Sequence, residues 1–457
     1  MLGRLVLALL LMFALVGSRP FAPPGGDMAS LAAAGTQTDT PLNQFVLLLA
    51  AGMAMPLLLS RWSLALTLFL RSWPLLLALA WLTATALWSP VPELTIRRAI
   101  VLWLMYFGAL GVAVCDIPLS EFHRFAAVAI GTVLFIDVLG AIGMPGRSID
   151  AEGRFVGMHG HKNSTGQVAV MGALCWYFFA GRYPWNSFKV WLLAGTVIFY
   201  LLILASGSKT GSALAFVAMA WTSFTAVLLQ EKATTRWLGW VAVAFGALGA
   251  ATIVMLAGIS ATQVGLFLFG DLTFTGRLPL WEAVWRQILQ HYWFGYGFGA
   301  FWDVNGADNS LGFAKSVGWL GSVGQAHNGY LDLFLQTGLI GLGLALLALG
   351  WMAFVTYRLL CLAPAHPFDR PARRFAYAMV LSIALYNLLE SSFLRPHHFH
   401  MYWLFLVIPL VLRELLAQET RQAAHGRLAY PAMRRSRAVL PINERIEPRI
   451  VGTSSPE

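Results

Sequence analysis

Apolar runs of roughly 16 to 22 residues recur along the 457-residue chain, each long enough to cross a hydrocarbon layer of about 30 Å as a helix. They fall at 2–17, 44–60, 72–88, 98–115, 124–143, 166–182, 189–205, 210–229, 237–257, 330–357, 375–391 and 400–416. Lipid offers no water to backbone N–H and C=O groups, so segments of this length must satisfy them internally as helices. The expected fold is an all-α polytopic membrane protein of about 12 transmembrane helices. Composition agrees: 58% of the residues are hydrophobic and 11% are charged, against about 25% charged in a soluble domain. One membrane domain, residues 1–416, therefore replaces the several soluble domains that length alone would suggest.

The formal net charge of +10 could suggest nucleic acid. Many Arg and Lys residues instead lie in short connections between runs, where they act as topology signals. With the N-terminus inside, inner connections hold Arg61 and Arg71, His123 and Arg124, Arg182 and Lys189, Lys232 and Arg236, then Arg358, Arg370, Arg373 and Arg374. The first run is read as an uncleaved span, although Arg4 before Leu5 to Val16 also suits a signal peptide. The tail, 417–457, is basic and punctuated by Pro431, Pro441, Pro448 and Pro456, and is expected to be disordered or to lie on anionic lipid at the cytoplasmic face. Cys115, Cys175 and Cys361 are too far apart for a thiolate metal pair and read as buried small hydrophobes.

One connection is long. Residues 258–329 fall outside, dense in Trp, Tyr, Phe and Gly, and a loop of that length has its own structure or a function. Leu280, Trp281, Val284, Trp285, Ile288, Leu289 and Tyr292 recur there at helical spacing, predicting a helix in the membrane interface. It could serve as an anchor alone.

Basic residues that oppose the orientation rule carry the functional signal. Arg97, Arg98, Arg147, Arg154, His159, His161, Lys162, Lys209, Arg277, Lys315, His327, Arg395, His397 and His398 all map to the outer side. Clustered at the mouths of several spans, they would bind a diphosphate at the lipid boundary; scattered, they would only touch phospholipid. Gly153-Arg154-Phe155-Val156-Gly157, with His159, His161, Lys162 and Asn163, precedes the sixth run, where a helix N-terminus presents free N–H groups to an anion. His159 and His161 at i,i+2, without an acidic partner nearby in sequence, are weak metal ligands, and no metal is expected. Ser206-Gly207-Ser208-Lys209-Thr210-Gly211 lacks the first glycine and the preceding strand of a nucleotide loop, which excludes ATP. It fits phosphate oxygens, or a helix cap with a snorkelling lysine. In Asp271-x-Thr273-x-Thr275-Gly276-Arg277, Arg277 sits at a predicted helix start, free for an anion or paired with Asp271 or Glu282.

The most specific pattern is His327-Asn328, nine residues, then Gly338-Leu339-Ile340-Gly341. His327 enters the tenth run from the outer side, where a helix N-terminus disfavours imidazolium and leaves the ring able to accept a proton. Gly338 and Gly341 predict close helix packing below it. Asn328 and Asp332 at i,i+4 would share one face and hold the site in register. As an alternative, a lone His at an interface is a hydrogen-bonded anchor.

At these residues the chain resembles the O-antigen ligase and Wzy-type polysaccharide polymerase superfamily. Its H-[N/S/Q]-x9-G-x-x-[G/T/Y] motif is matched by His327, Asn328, Gly338 and Gly341, and its outer-loop Arg by Arg277. Lys209 stands where many members have Arg, a point charge in place of a bidentate fork. The Asp-x-Thr-x-Thr-Gly-Arg pattern is similar to the exopolysaccharide polymerase branch. The resemblance implies a GT-C-like glycosyltransferase of the inner membrane, facing the periplasm, metal-independent and inverting, needing no cofactor. It would transfer lipid-linked oligosaccharide from a polyprenyl-diphosphate donor to a sugar hydroxyl. His327 and Arg277 would be catalytic; Lys209, Arg154, Asn328, Lys162, Asn163 and Arg395 would bind substrate. Partners so implied are the lipid-linked oligosaccharide, membrane lipids, and a flippase and chain-length regulator of the pathway, with no nucleic acid. Alternatives are a ligase acting on lipid A core or protein, and a transporter of lipid-linked sugars. A transporter places ionisable groups near mid-membrane, where Asp137 is the main candidate here.

Overall fold

The computed structural model describes residues 1–17, 20–22, 41–229, 277–302 and 324–437, except for the side chains of 209, 210, 212, 213 and 424–437. An isolated bridge between Ile149 and Phe155 apart, the described residues form helices, turns and irregular chain. The helices are α1 (Leu2–Val16), α2 (Pro41–Ser60), α3 (Trp62–Arg71), α4 (Trp73–Ala84), α5 (Pro92–Ala113), α6 (Leu119–Gly143), α7 (Lys162–Ala180), α8 (Ser187–Ala205), α9 (Lys209–Leu228), α10 (Arg277–Gln290), α11 (Gly329–Cys361), α12 (Asp369–Tyr386) and α13 (Phe399–Arg437). The predicted run 237–257 and most of the long loop lie outside the described residues. Every other predicted run falls on helix, although the run 375–391 overshoots the end of its helix at Tyr386.

Six of these helices are long and apolar enough to cross a membrane: α2, α5, α6, α8, α11 and the Phe399–Ala423 part of α13. A seventh span is available if the pair Trp62–Arg71 and Trp73–Leu87, bent by 78°, is counted as one. The sequence reading left 62–71 as a connection. It is helical up to Ser72, whose hydroxyl turns back onto Leu68 O at 2.9 Å, and Pro74 opens the next helix. Proline has no N–H to give to the preceding turn and clashes with its carbonyl, so the axis bends there. α7 lies inside the bundle against α6, α8, α9 and α12, so its Gly166, Gln167 and Gly172 face protein, not lipid, and are buried. On the predicted inner side, buried Arg373 of α12 ties three elements. It donates to Leu359 O (3.2 Å) and Leu362 O (2.7 Å) at the end of α11, and to Glu414 at 2.5 Å.

The chain divides into two compact units, Met1–Glu414 and Leu415–Glu457. Within the second, α13 stays helical past Gln418 as far as Arg437; Ala, Gln, Glu and Arg of 417–424 all have high helix propensity. Residues 438–457 are outside the described part.

α11 is not one helix. Gly338 has φ 69° and ψ −176°, a region open only to glycine. The chain 292–297 enters the break: Leu339 N donates to Tyr292 O (2.9 Å), Tyr296 N to Leu335 O (3.1 Å) and Gly297 N to Gln336 O (2.8 Å). Backbone groups freed by the break are thereby satisfied inside the bundle, as a low-dielectric setting requires. The glycine at 338 was expected to serve helix packing; its work is to break the helix, because a Cβ there would stand 2.1 Å from Trp293 O. At Gly341 a Cβ would meet Thr337 Oγ1 at 2.1 Å and Trp81 Nε1 at 2.8 Å. Gly338→Ala is expected to destabilise the protein by at least about 1–3 kcal/mol from backbone strain alone. Gly343→Ala, in the same helix with nothing within 4 Å of its added methyl, should be neutral or stabilising. Thermal unfolding of both variants in detergent checks this, and equal melting temperatures would refute the assignment.

Candidate active site

The run expected to continue to 391 leaves its helix at Tyr386, so Glu390 belongs to the loop 387–398 and not to a span. Asn387 builds that loop. Its Oδ1 accepts from Ser392 N (3.0 Å) and Phe393 N (2.9 Å), and its Nδ2 donates to Ile383 O (2.7 Å). Its carbonyl accepts Gly329 N at 2.8 Å, which seats the start of α11 on the loop. Only glycine permits this approach, since a Cβ at 329 would lie 2.1 Å from Asn387 Oδ1.

Glu390, 5% exposed, is the hub. Its Oε1 accepts from Arg277 Nη2 at 2.7 Å and Asn163 Nδ2 at 3.1 Å. Its Oε2 accepts from His327 Nδ1 at 2.9 Å, and Gln325 Nε2 reaches it at 3.5 Å. Burial pushes the Glu390 carboxyl up, but the His327 hydrogen bond and the charges of His327 and Arg277 outweigh it and hold the group below the usual glutamate range. An ionised carboxylate only accepts, so Nδ1 of His327 carries the hydrogen that faces Glu390, and whenever the ring is neutral its lone pair is on Nε2. His327 itself has φ 49°, an uncommon conformation for a side chain of its size and one that clusters at functional sites.

Four sequence-distant segments thus meet. Arg277 is the first residue of α10, which buries Leu280, Val284 and Ile288 against Phe334 and Leu335 of α11; Trp285 and Leu289 on its other flank are exposed. Glu282, one of the two partners considered for Arg277, pairs instead with Arg286 at 2.5 Å. Asn163 is placed by the start of α7, where His161 Nδ1 accepts its backbone N–H at 3.2 Å. Burial lowers His161 below its ordinary value, so this group contributes a neutral ring. Asn328 is the N-cap of α11: its Oδ1 accepts from Tyr330 N (3.0 Å) and Leu331 N (3.1 Å). Its side-chain oxygen is therefore spent on the helix, and Asp332 turns to Trp302 Nε1 at 2.5 Å. Arg395 joins through Gln325, donating to its Oε1 at 2.6 Å.

Other expected members stand apart. Arg154 is held by carboxylates of its own loop, Asp150 at 2.7 Å and Glu152, and its chain lies against Gly207. Lys162 is half-buried between the two groups: desolvation lowers it first, then the charge of Arg154, while Glu152, Asp150 and Glu390 oppose. The Lys209 side chain and Asp271 to Gly276 lie outside the described residues. His398 adds no positive charge, because burial holds it far below its ordinary value. His159 lies 3.6 Å from Asp137 of α6, and Asp137 Oδ1 accepts Met158 N at 2.7 Å; this mid-helix carboxylate anchors the 149–161 loop. Among the described residues no three His, Cys, Asp or Glu side chains are grouped to hold a metal.

Sequence reasoning missed Glu390 and Gln325 as site residues. Glu390 carried a usable signal, being a lone carboxylate at the end of an apolar run. Gln325 carried none.

Comparison with known proteins bears on the same residues. A family profile described as O-antigen ligase matches residues 194–346, a stretch that contains Lys209, Arg277, His327, Asn328, Gly338 and Gly341. Over 266 residues the chain is 25% identical to the exopolysaccharide production protein ExoQ of Rhizobium meliloti (strain 1021), covering 56% of this chain and 59% of that protein. The match therefore spans less than two thirds of the relative's length. Both comparisons support the resemblance carried by the His-Asn-x9-Gly-x-x-Gly pattern: the chain is similar to O-antigen ligases over residues 194–346 and to an exopolysaccharide production protein over the 266 aligned residues.

Proposed function

We propose that the protein polymerises lipid-linked oligosaccharide at the periplasmic face of an inner membrane, from a polyprenyl-diphosphate donor to a sugar hydroxyl. One observation carries this reading: a single buried carboxylate, Glu390, holds an imidazole and a guanidinium side by side. The acceptor hydroxyl loses its proton to Nε2 of His327 and attacks the anomeric carbon. The bond to the lipid diphosphate breaks, and its electrons leave on the phosphate oxygen, where Arg277 and the N-terminus of α10 stabilise the growing charge. Attack opposite the leaving group inverts the anomeric centre. Arg154, already neutralised by two carboxylates, carries less of this role than Arg277. The orientation follows the basic inner connections, and about 12 spans make up the membrane domain.

The test is to incubate purified protein in lipid vesicles with a lipid-diphosphate oligosaccharide. Longer glycans are expected, with one free lipid diphosphate released for each new glycosidic linkage. Transfer only to lipid A core or protein would make it a ligase. Relocation of intact substrate across the vesicle, with no product, would replace the enzyme by a transporter.

A further inference from the structure

A polar recess lies beside the first turns of α11 and is joined to the Glu390 cluster through Ser391 and Arg395. It is a cavity of about 70 Å³ faced by Arg98, Trp302, Asp332, Gln336, Ser391 and Arg395. It is tied to the reacting groups at both ends: Ser391 follows Glu390 in the chain, and Arg395 donates to Gln325, two residues before His327. Arg98, one of the outer basic residues that the proposed chemistry does not use, is fixed by its hydrogen bond to Gly299 O. The hydroxyl of Ser391, a residue 5% exposed, completes no hydrogen bond of full geometry among the described residues and has only a loose polar contact with the Asp332 carboxyl. A buried hydroxyl without a well-formed hydrogen bond is uncommon in a finished structure and marks a place where a ligand atom can complete the bond.

The lining selects the ligand class. A phosphate offers acceptors only, and Asp332, 7% exposed, would repel it. A metal cation would meet two guanidinium groups. A sugar edge presents hydroxyls that both donate and accept, so it can give hydrogen bonds to Asp332 and take them from Arg98 and Arg395. The indole of Trp302, held by its N–H to Asp332 Oδ1 at 2.5 Å, adds an apolar wall for the ring face. We infer that this recess is a saccharide subsite that seats one sugar of a reacting chain beside His327. The inference rests on the proposed transfer reaction for its setting, and its ligand is either the acceptor's terminal sugar or the donor's first sugar.

Ser391→Ala removes one hydrogen bond without adding bulk, and Ser391→Leu fills the recess. In steady-state transfer assays, Ser391→Ala should raise KM for one saccharide substrate about 3- to 10-fold, as loss of one hydrogen bond does, with kcat little changed; Ser391→Leu should abolish saturation. A raised acceptor KM assigns the recess to the acceptor sugar, and a raised donor KM assigns it to the donor. Wild-type KM for both substrates in Ser391→Ala, with an unchanged melting temperature, overturns the inference and leaves the transfer reaction standing. A turnover-free arm separates the two ideas. Saturation-transfer NMR of the detergent-purified protein uses repeat-unit oligosaccharide released from the producing cells' polysaccharide by mild acid. Binding lost in Ser391→Leu supports the subsite even if no product forms, whereas equal signals from wild type and both variants overturn it.

Discussion

Alanine at position 327 is expected to lower the proposed transfer from a lipid-diphosphate donor by about 10²–10⁴-fold, the contribution of a positioned general base. His327 gives Nδ1–H to Glu390 Oε2 at 2.9 Å, so in the proposed reaction its remaining nitrogen is the one that takes the acceptor's proton. His327→Asn separates chemistry from placement. Asparagine keeps an N–H for Glu390 and tolerates the positive φ of 49° better than most residues, yet has no basic nitrogen. Its transfer rate should fall as far as that of the alanine variant, while its affinity for the donor stays near wild type. Initial rates of lipid-diphosphate release measure this. An asparagine variant retaining more than half of the wild-type rate would show that no proton passes to His327.

Glu390→Gln comes next in size and acts on stability as well as rate. The amide is nearly isosteric, but it leaves the Arg277 guanidinium, 15% exposed, without its counter-charge. Breaking one side of a buried pair costs about 3–5 kcal/mol. The pH dependence has a definite sign. Folding lowers the Glu390 carboxyl below its ordinary value, so the folded state binds fewer protons than the unfolded one and stability rises with pH in that window. The stabilisation is complete above the unfolded value of about 4.3 and is lost as pH falls through the depressed folded value. Melting temperatures of wild type and Glu390→Gln should therefore lie well apart at pH 7 and draw together toward pH 3. A gap that widens on acidification would mean that Glu390 is not the charged hub described above. Activity of Glu390→Gln should also fall, since the imidazole loses the partner that orients it.

How much of this was open to reading without coordinates depends on the range of the interaction involved. The helices between α1 and α13 could be read because a period of apolar residues and a span length are local quantities. Two local departures, the bend at Ser72 and the end of α12 at Tyr386, arose where proline and asparagine side chains compete with the helix backbone. Arg277 and His327 were legible as basic residues at helix starts. Arg154 had the same appearance, yet its charge is taken up by Asp150 and Glu152, and nothing in its spacing separated it from the other two. Gly338 was visible as a motif glycine, but its reason was not, because the strained backbone is imposed by the distant chain around Trp293.

The sequence alone determined that this chain is a helical membrane protein, and it marked the His327 and Arg277 segments as candidates for the chemistry, since hydropathy, charge placement and motif spacing are written residue by residue. Only the tertiary structure decided that Glu390, 63 residues beyond His327 and 113 beyond Arg277, binds both of them. Hydrogen bonds across such separations exist only once the intervening helices have packed, and no local pattern encodes which carboxylate the packing will bring within reach.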